Sequence, residues 1–359
     1  MSDDAEIIFS RSGAVGRILL NRPRALNTLN LSMSALLLPQ LKAWRADPSV
    51  KVVVIAGAGE KAFCAGGDVI SLYKDHLEGG DLARTFWHQE YRCNALIKHL
   101  GKPYVALLDG IVMGGGVGVS VHGSHRVVTE RCMLAMPETA IGLFPDVGAT
   151  FFLPRLPGAM GMYLGLTGQR LSAADCIAVG LAQHFVPHTG LEALEAALAE
   201  SDGSAEDVNR RIAAHAGEAG AAPILQHRAA IDRHFSAASV EAILASLVTD
   251  ASDWALTQRA VLEKCSPLAL RLTFDQVRAG AGLSFDGCMR REWRMAHRIA
   301  AGHDFFEGVR ARLVDKDNAP RWRPASLAEV SAAEVSAYAA PLPGNALDLA
   351  DISNEGTPS

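Results

Sequence analysis

Apolar and polar positions fall into two regimes along the chain. From residue 6 to about residue 150, short apolar runs alternate with longer segments of helical period. "EIIFS" and "VGRILLN" are strand-length runs joined by a turn at Ser12-Gly13. "SMSALLLPQLKAWRAD" predicts a helix in spite of Pro39 inside it. "KVVVIAG" is a continuous β-branched run, the pattern of a strand covered on both faces. A long helix is expected over 82–100. "YVALLDG", a glycine turn and a short helix come next, then strands near "HRVVTE" and "MLAM". Repeated strand–helix alternation predicts an α/β fold rather than an all-α one.

Beyond residue 150 the helical period takes over. "GAMGMYLGLTG", "SAADCIAVG", "LEALEAALAES", "VEAILASLV", "WALTQRAVLEKC" and "LALRLTFDQVRAG" predict helices, with one strand at "AQHFV". The last 35 or so residues are richer in Pro, Asn, Ser and Ala and predict a loosely ordered tail. The expected organisation is a core with the active site over 1–190, a helical C-terminal region over 191–325, and the tail over 326–359.

Composition narrows the classes. A chain of 359 residues can bury a sizeable core, as one large domain or a core with an appendage. Hydrophobic residues at 49% and charged residues at 20% suit a soluble globular protein. A net charge of −5 offers no global basic field, so nucleic acid is not an expected partner. The nearest two of the six cysteines, Cys265 and Cys288, are 23 positions apart, so no CxxC pair exists. Reduced thiols are expected. The start, "MSDDAEIIFS", is acidic, without the apolar centre of a secretory signal and unlike an Arg-rich transit peptide, so a cytoplasmic location is expected. The longest apolar stretch, "YVALLDGIVMGGGVGVSV", is broken by Asp109 and by glycines, and no membrane span is expected.

Several motifs are missing. There is no GxGxxG, no GxxxxGK[ST] and no GxSxG. His122 with His125, and His184 with His188, have metal-like spacing but no acidic or cysteine neighbours in sequence. Structural or surface histidines are the plainer account, and neither metal nor cofactor is expected.

Two glycine turns do carry chemistry. "FCAGGD" (63–68) and "DGIVMGGGVG" (109–118) each lie between an apolar strand and a helix start. N–H groups at such a place are free, and glycine lets a ligand approach them closely. Two converging turns can give one N–H each to a single oxygen, an oxyanion hole. Tight strand–helix packing would also explain them. A further oddity is "PETAIGLFPDVG" (137–148), which sets Glu138 and Asp146 among Ile141, Leu143, Phe144 and Val147. Glu90 is a third: it follows Phe86 by four residues and precedes Cys93 by three, on the inward stripe of the 82–100 helix, where a glutamate is unusual.

"NRPRALNTLN", "GEKAFCAGGDV", "KPYVALLDGIVMGGGVGVSVHGSHRVVTE", "AMPETAIGLFPDVGATFFLPRLPG" and "GHDFFEGVRARLVDKD" together resemble the crotonase (enoyl-CoA hydratase/isomerase) superfamily over roughly residues 6–325. "MPETAIGLFPDVG" and "GHDFFEGVRA" resemble its hydrolase-like branch. The resemblance implies a spiral of repeated ββα units with a helical C-terminal region. It implies that the acyl-thioester carbonyl lies between the backbone N–H groups of Gly67 and Gly115, with Gly114 also at the substrate. Arg24, Ala25, Leu26, Ala65 and Asp68 would hold coenzyme A, largely through backbone. Coenzyme A would enter as part of an acyl-CoA substrate, and a homo-oligomer is left open.

The chain departs from the hydratases at one place. Where they carry a first catalytic glutamate, it has Gly118; Glu138 occupies the place of the second. Hydration is therefore disfavoured and thioester hydrolysis favoured, on a short branched 3-hydroxyacyl group as in valine degradation. Glu138 is then the expected nucleophile or base, Asp146 its assistant, and Glu90 a contact to the substrate hydroxyl or a partner of the other two. An apolar surrounding would raise a carboxyl pKa and separate the roles. The rivals are hydration or double-bond isomerisation, and a coenzyme A-binding scaffold without catalysis. In plainer accounts, Glu138 caps a helix, Asp146 stabilises a turn, and Glu90 pairs with Arg92 or His122.

Overall fold

The computed structural model describes residues 5–353. Strand β1 (Ile7–Ser12) turns at Gly13 into β2 (Val15–Leu20), an antiparallel pair with Ile7 opposite Leu20. Helix α1 (Leu31–Ala46) follows, capped by the Asn30 side chain, which accepts the Met33 N–H. Pro39 removes one donor inside it. The helix runs on because Met33, Leu37, Leu41 and Trp44 form one buried stripe.

The chain then repeats a unit. β3 (Val52–Gly57) and β4 (Ala62–Cys64) lead into α2 (Val69–Leu77) and α3 (Leu82–Lys98). β5 (Tyr104–Leu108) and β6 (Ile111–Met113) lead into α4 (Gly115–Val121). β7 (His125–Val128) and β8 (Met133–Ala135) lead into a 3-10 turn, Glu138–Ile141, and the short α5 (Ala149–Phe152). After α6 (Met160–Thr167) come β9 (Leu171–Ser172), α7 (Ala173–Ala178) and β10 (His184–Phe185). The first strand of each unit enters a six-stranded sheet ordered β1-β2-β3-β5-β7-β10, and the second enters a four-stranded sheet ordered β4-β6-β8-β9. From β2 onward the larger sheet is parallel. This is the expected spiral of ββα units.

The both-face burial of β3 has a concrete cause. Side chains alternate along a strand. Val53 and Ile55 enter the main core, while Val52, Val54 and Ala56 enter a second, smaller core. That core is closed by Leu194 and Leu198 of α8 (Leu191–Ala199) and by Val208 and Ile212 of α9 (Ala205–Ala214).

The remaining helices are α10 (Arg228–Phe235), α11 (Val240–Asp250), α12 (Asp253–Leu262), α13 (Pro267–Gly280), α14 (Phe285–Ile299), α15 (Asp304–Val309) and α16 (Ala332–Ala339). α13 packs on α5 and α6, and α14 on α3 and α5. The main core is continuous from Ile7 to Ile352. Residue 190 therefore marks a change of secondary structure and not a boundary between two cores.

The loosely ordered tail expected over 326–359 is corrected in its described part; residues 354–359 lie outside the described residues. Val330, Val335, Leu347, Leu349 and Ile352 are buried in the main core. Trp293 Nε1 donates to the Asn345 carbonyl at 2.7 Å, and Arg298 to those of Tyr338 and Ala340 at 2.9 and 2.8 Å. Asp351 pairs with Lys42 and Arg92. Five well-spaced apolar residues and a few carbonyl contacts order a segment whose composition is dominated by small and polar residues. Among the described residues no helix is long and apolar enough to cross a membrane.

Candidate active site

The spiral brings both glycine turns and all three carboxylates to one place. Ala65, Gly67, Glu90, Gly114, Gly115, Glu138 and Asp146 line a single cavity of about 550 Å³. β4 and β6 are parallel neighbours in the smaller sheet, so the turns that follow them lie side by side. A side-chain carbon on Gly115 would fall 3.3 Å from the Gly67 nitrogen and 2.5 Å from Glu90 Oε1. Glycine is required there because Glu90 and the neighbouring turn already occupy the space. Neither the Gly67 nor the Gly115 N–H is taken by a carbonyl among the described residues. Two unspent donors beside each other at a helix start can serve one developing oxyanion.

The carboxylates enter from three segments, Asp146 from the stretch between the 3-10 turn and α5. Glu90 comes from the buried face of α3, with Phe86, Cys93 and Ile97, as its spacing predicts. Glu138 opens the 3-10 turn; its Oε1 lies 3.0 Å from where a side chain on Gly114 would begin. They are 2% and 5% exposed, and Asp146 is 4% exposed, yet among the described residues none of the three makes an ion pair. Glu90 Oε1 and Glu138 Oε2 are buried without a hydrogen-bond partner. Asp146 Oδ2 accepts the Tyr91 hydroxyl at 2.8 Å.

These surroundings decide ionisation. Burial pushes Glu90 well above the usual carboxylate range, and the charges of Asp146 and Glu138 add to it. Burial, then the Asp146 charge, does the same to Glu138. Asp146 is also raised by burial, but the Tyr91 hydroxyl opposes the rise. Neighbouring acids of this kind lose their protons in separated steps. The plainer accounts of Glu138 and Glu90 do not match their contacts. Glu138 is the first residue of the 3-10 turn and not its cap, and its Oε2 has no hydrogen-bond partner. Glu90 has neither Arg92, which pairs with Asp351, nor His122, which contacts the Val147 carbonyl.

The segment Pro145–Thr150 is held by side chains from three helices. Val147 has φ +50° and is fully buried. A β-branched residue rarely adopts that left-handed conformation. Its carbonyl lies 2.6 Å from His122 Nε2 at the end of α4. A carbonyl only accepts, so Nε2 carries the proton. Burial lowers the His122 pKa to about 3, which keeps the ring neutral. Gly148 has φ +91°, and any side chain there would collide with His122. Gln276 Nε2 of α13 donates to the Pro145 carbonyl at 2.6 Å. Glu292 of α14 accepts the Gly148 and Thr150 N–H groups at 2.6 and 2.8 Å. Gly118, the position of the first hydratase acid, is filled from outside: a side chain there would lie 2.6 Å from Val147 Cβ and 3.0 Å from Asn94 Nδ2.

The residues expected to hold coenzyme A separate. Ala65 lines the cavity, and its N–H donates to the Leu26 carbonyl at 3.0 Å, fixing that loop to the cavity wall. Arg24 is exposed, and Ala25 and Leu26 are half-buried, outside the cavity lining. The Asp68 carboxylate is engaged within the protein, with Arg22 at 3.0 Å and as the cap of α2. Three cations that sequence reasoning missed, Arg170, Lys264 and Arg312, also line the cavity. They are 142 positions apart at the extremes, and no local pattern announces them. Glu292 was also missed, although a glutamate four residues after Cys288 and four before Ala296, on a buried face, is the signal that found Glu90.

A family model described as enoyl-CoA hydratase/isomerase matches residues 15–339. The 3-hydroxyisobutyryl-CoA hydrolase, mitochondrial, of Danio rerio is 47% identical over 333 residues, 91% of this chain and 87% of that protein. The protein of the same name from Homo sapiens is 44% identical over 332 residues, 91% and 86% respectively. Two solved structures are similar throughout. A carnitinyl-CoA dehydratase from Mycobacterium thermoresistibile is 42% identical with TM-score 0.90, covering 97% of this chain and 99% of that one. An enoyl-CoA hydratase from Rhodobacter sphaeroides is 37% identical with TM-score 0.89, covering 96% and 100%.

Proposed function

The chain belongs to the enoyl-CoA hydratase/isomerase family, and within it we propose that the cavity cleaves 3-hydroxyisobutyryl-CoA to 3-hydroxyisobutyrate and coenzyme A, a step of valine breakdown. It is an enzyme of the hydrolase kind its curated relatives are named for. The observation that carries the choice is Gly118, packed against Val147 and Asn94. Water addition in the hydratase manner needs two acids on one double bond, and the first has no room here. The second reading, hydration, rests on the names of the two solved structures.

In our reading the thioester oxygen lies between the Gly67 and Gly115 N–H groups. Glu138, against Gly114, attacks the carbonyl or draws the proton from attacking water. Asp146, held by Tyr91, assists, and Glu90 meets the substrate hydroxyl. The thiolate departs toward the mouth, where Arg170, Lys264 and Arg312 face the phosphates of coenzyme A. No cofactor or metal takes part. Support for these roles comes from burial, unspent hydrogen-bond capacity and the shared cavity. Free thiol release and loss of enoyl absorbance, followed in parallel on 3-hydroxyisobutyryl-CoA and crotonyl-CoA, test the proposal. Fast hydration without thiol release would end it. The six buried, unpaired thiols suit a reducing compartment; we propose the cytoplasm, and cell fractionation separates it from the mitochondrial location in the relatives' names.

A further inference from the structure

We infer that the C-terminal helices set the catalytic geometry: Glu292 and Gln276, with His122, are positioning residues that hold Pro145–Thr150 so that Asp146 faces the cavity. This rests on the reading that Asp146 takes part in thioester cleavage. The segment is gripped at four backbone sites within six residues, the carbonyls of Pro145 and Val147 and the N–H groups of Gly148 and Thr150. Asp146 lies inside that grip, and only its side chain is left to reach Tyr91 and the cavity.

The grip has something to oppose. Val147, next to Asp146, stands in a left-handed conformation that its branched side chain disfavours. Released, the residue would return to negative φ. That rotation would turn the Asp146–Val147 peptide and carry the carboxylate away from Tyr91. Glu292 is fully buried, without a cation, and both of its oxygens are spent on the turn. Burial raises its pKa to about 8, and a buried acid held by the donors of one turn is an expensive anchor unless geometry requires it. The inference separates from ordinary stabilisation through Val147. Glycine adopts positive φ freely, so it removes the need for the grip.

The experiment measures thiol release by the full-length protein as wild type, Glu292→Gln, Val147→Gly and the double variant. Glutamine keeps one acceptor and faces the other N–H with its own amide. Glu292→Gln should lower kcat by about 10²-fold, the effect of an ångström-scale misplacement, with KM changed by less than about twofold. In the Val147→Gly background the same substitution should lower kcat by less than about threefold, because the two are coupled. An unchanged kcat for Glu292→Gln, or an equal loss in both backgrounds, overturns the inference. Should Glu292→Gln not fold, His122→Phe removes the donor to Val147 and should lower kcat by about tenfold at constant KM; a wild-type kcat there overturns it equally. Should Val147→Gly not fold, Val147→Asn runs the same cycle, since asparagine tolerates positive φ. Absence of thiol release by the wild type fails the functional reading instead.

Discussion

Two groups of acids in this molecule behave in opposite ways. Glu90, Glu138 and Asp146 are buried in one cavity, make no ion pair among the described residues and are driven toward the neutral form. Glu307, Asp315 and Asp317 surround Arg310 just after α15, at 2.8, 2.6 and 2.7 Å. There the guanidinium holds Glu307 below its ordinary value and is itself held more firmly protonated. Residue type is the same in both places. What differs is that burial takes the first group out of water without an ion pair, while Arg310 pairs with acids nearer the solvent. The first arrangement stores a strain of charge that chemistry can release. The second closes a loop, since Arg321 N–H also donates to Glu307 at 2.8 Å.

The sharpest way to break the contrast is Glu138→Gln. Turnover should fall by roughly 10³-fold, within the usual range for loss of an acid–base or nucleophilic group. Stability should move the other way. An unfolded glutamate titrates near 4.3, and the folded Glu138 lies well above it. Its stabilising contribution is complete below the unfolded value and is lost as pH rises through the folded one. Glutamine carries no such loss, so the variant should melt higher than wild type at pH 8 and level with it at pH 4. Calorimetry at both pH values checks this; a variant less stable at pH 8 would mean that Glu138 is a structural cap. Gly115→Pro is next. It deletes one oxyanion donor, and kcat should fall by about 10²–10³-fold. Full turnover by the folded variant would remove Gly115 from the site.

Glu90→Gln should act on preference. A hydrogen bond matters only where the substrate has a hydroxyl, so kcat/KM should fall by about tenfold more on 3-hydroxyisobutyryl-CoA than on isobutyryl-CoA. Equal losses would make Glu90 a general partner of the other acids. The smallest effect belongs to the far side of the comparison. Arg310→Gln leaves Glu307 unpaired, and kcat per folded molecule should stay within about twofold, as for a residue outside the cavity. Glu307 is depressed when paired, so its contribution is present above the unfolded value and is lost as pH falls through the folded one. The variant should therefore melt lower than wild type at pH 7, and the gap should close below about pH 4.

Much of this was legible in the sequence, and the reason is locality. The glycine turns, "PETAIGLFPDVG" and the inward Glu90 are each visible within about ten residues, and the spiral repeats them at one place. The β3 run announced two covered faces without saying that α8 and α9 cover the second. The Arg170, Lys264 and Arg312 lining and the His122, Gln276 and Glu292 grip were not legible, because each joins segments far apart in the chain. At Asp68 the sequence did not announce the partner of the side chain. A position matching a coenzyme A-binding motif carries a side chain already engaged by Arg22. The tail misled through composition, since five buried residues order it.

The grip on Pro145–Thr150 also has a consequence in time. Gln276 and Glu292 lie 131 and 142 or more positions from the backbone groups they hold. During synthesis at about 5–20 residues per second, roughly 7–30 s pass between making Asp146 and making Glu292. All three acids are present in the growing chain during that interval, but the turn that aims one of them has no anchor. Contacts of such long sequence separation form late when a chain folds. On refolding of the full-length protein, thiol release should return more slowly than the far-ultraviolet signal of the helices. Simultaneous return would show that the turn assembles without its distant anchors.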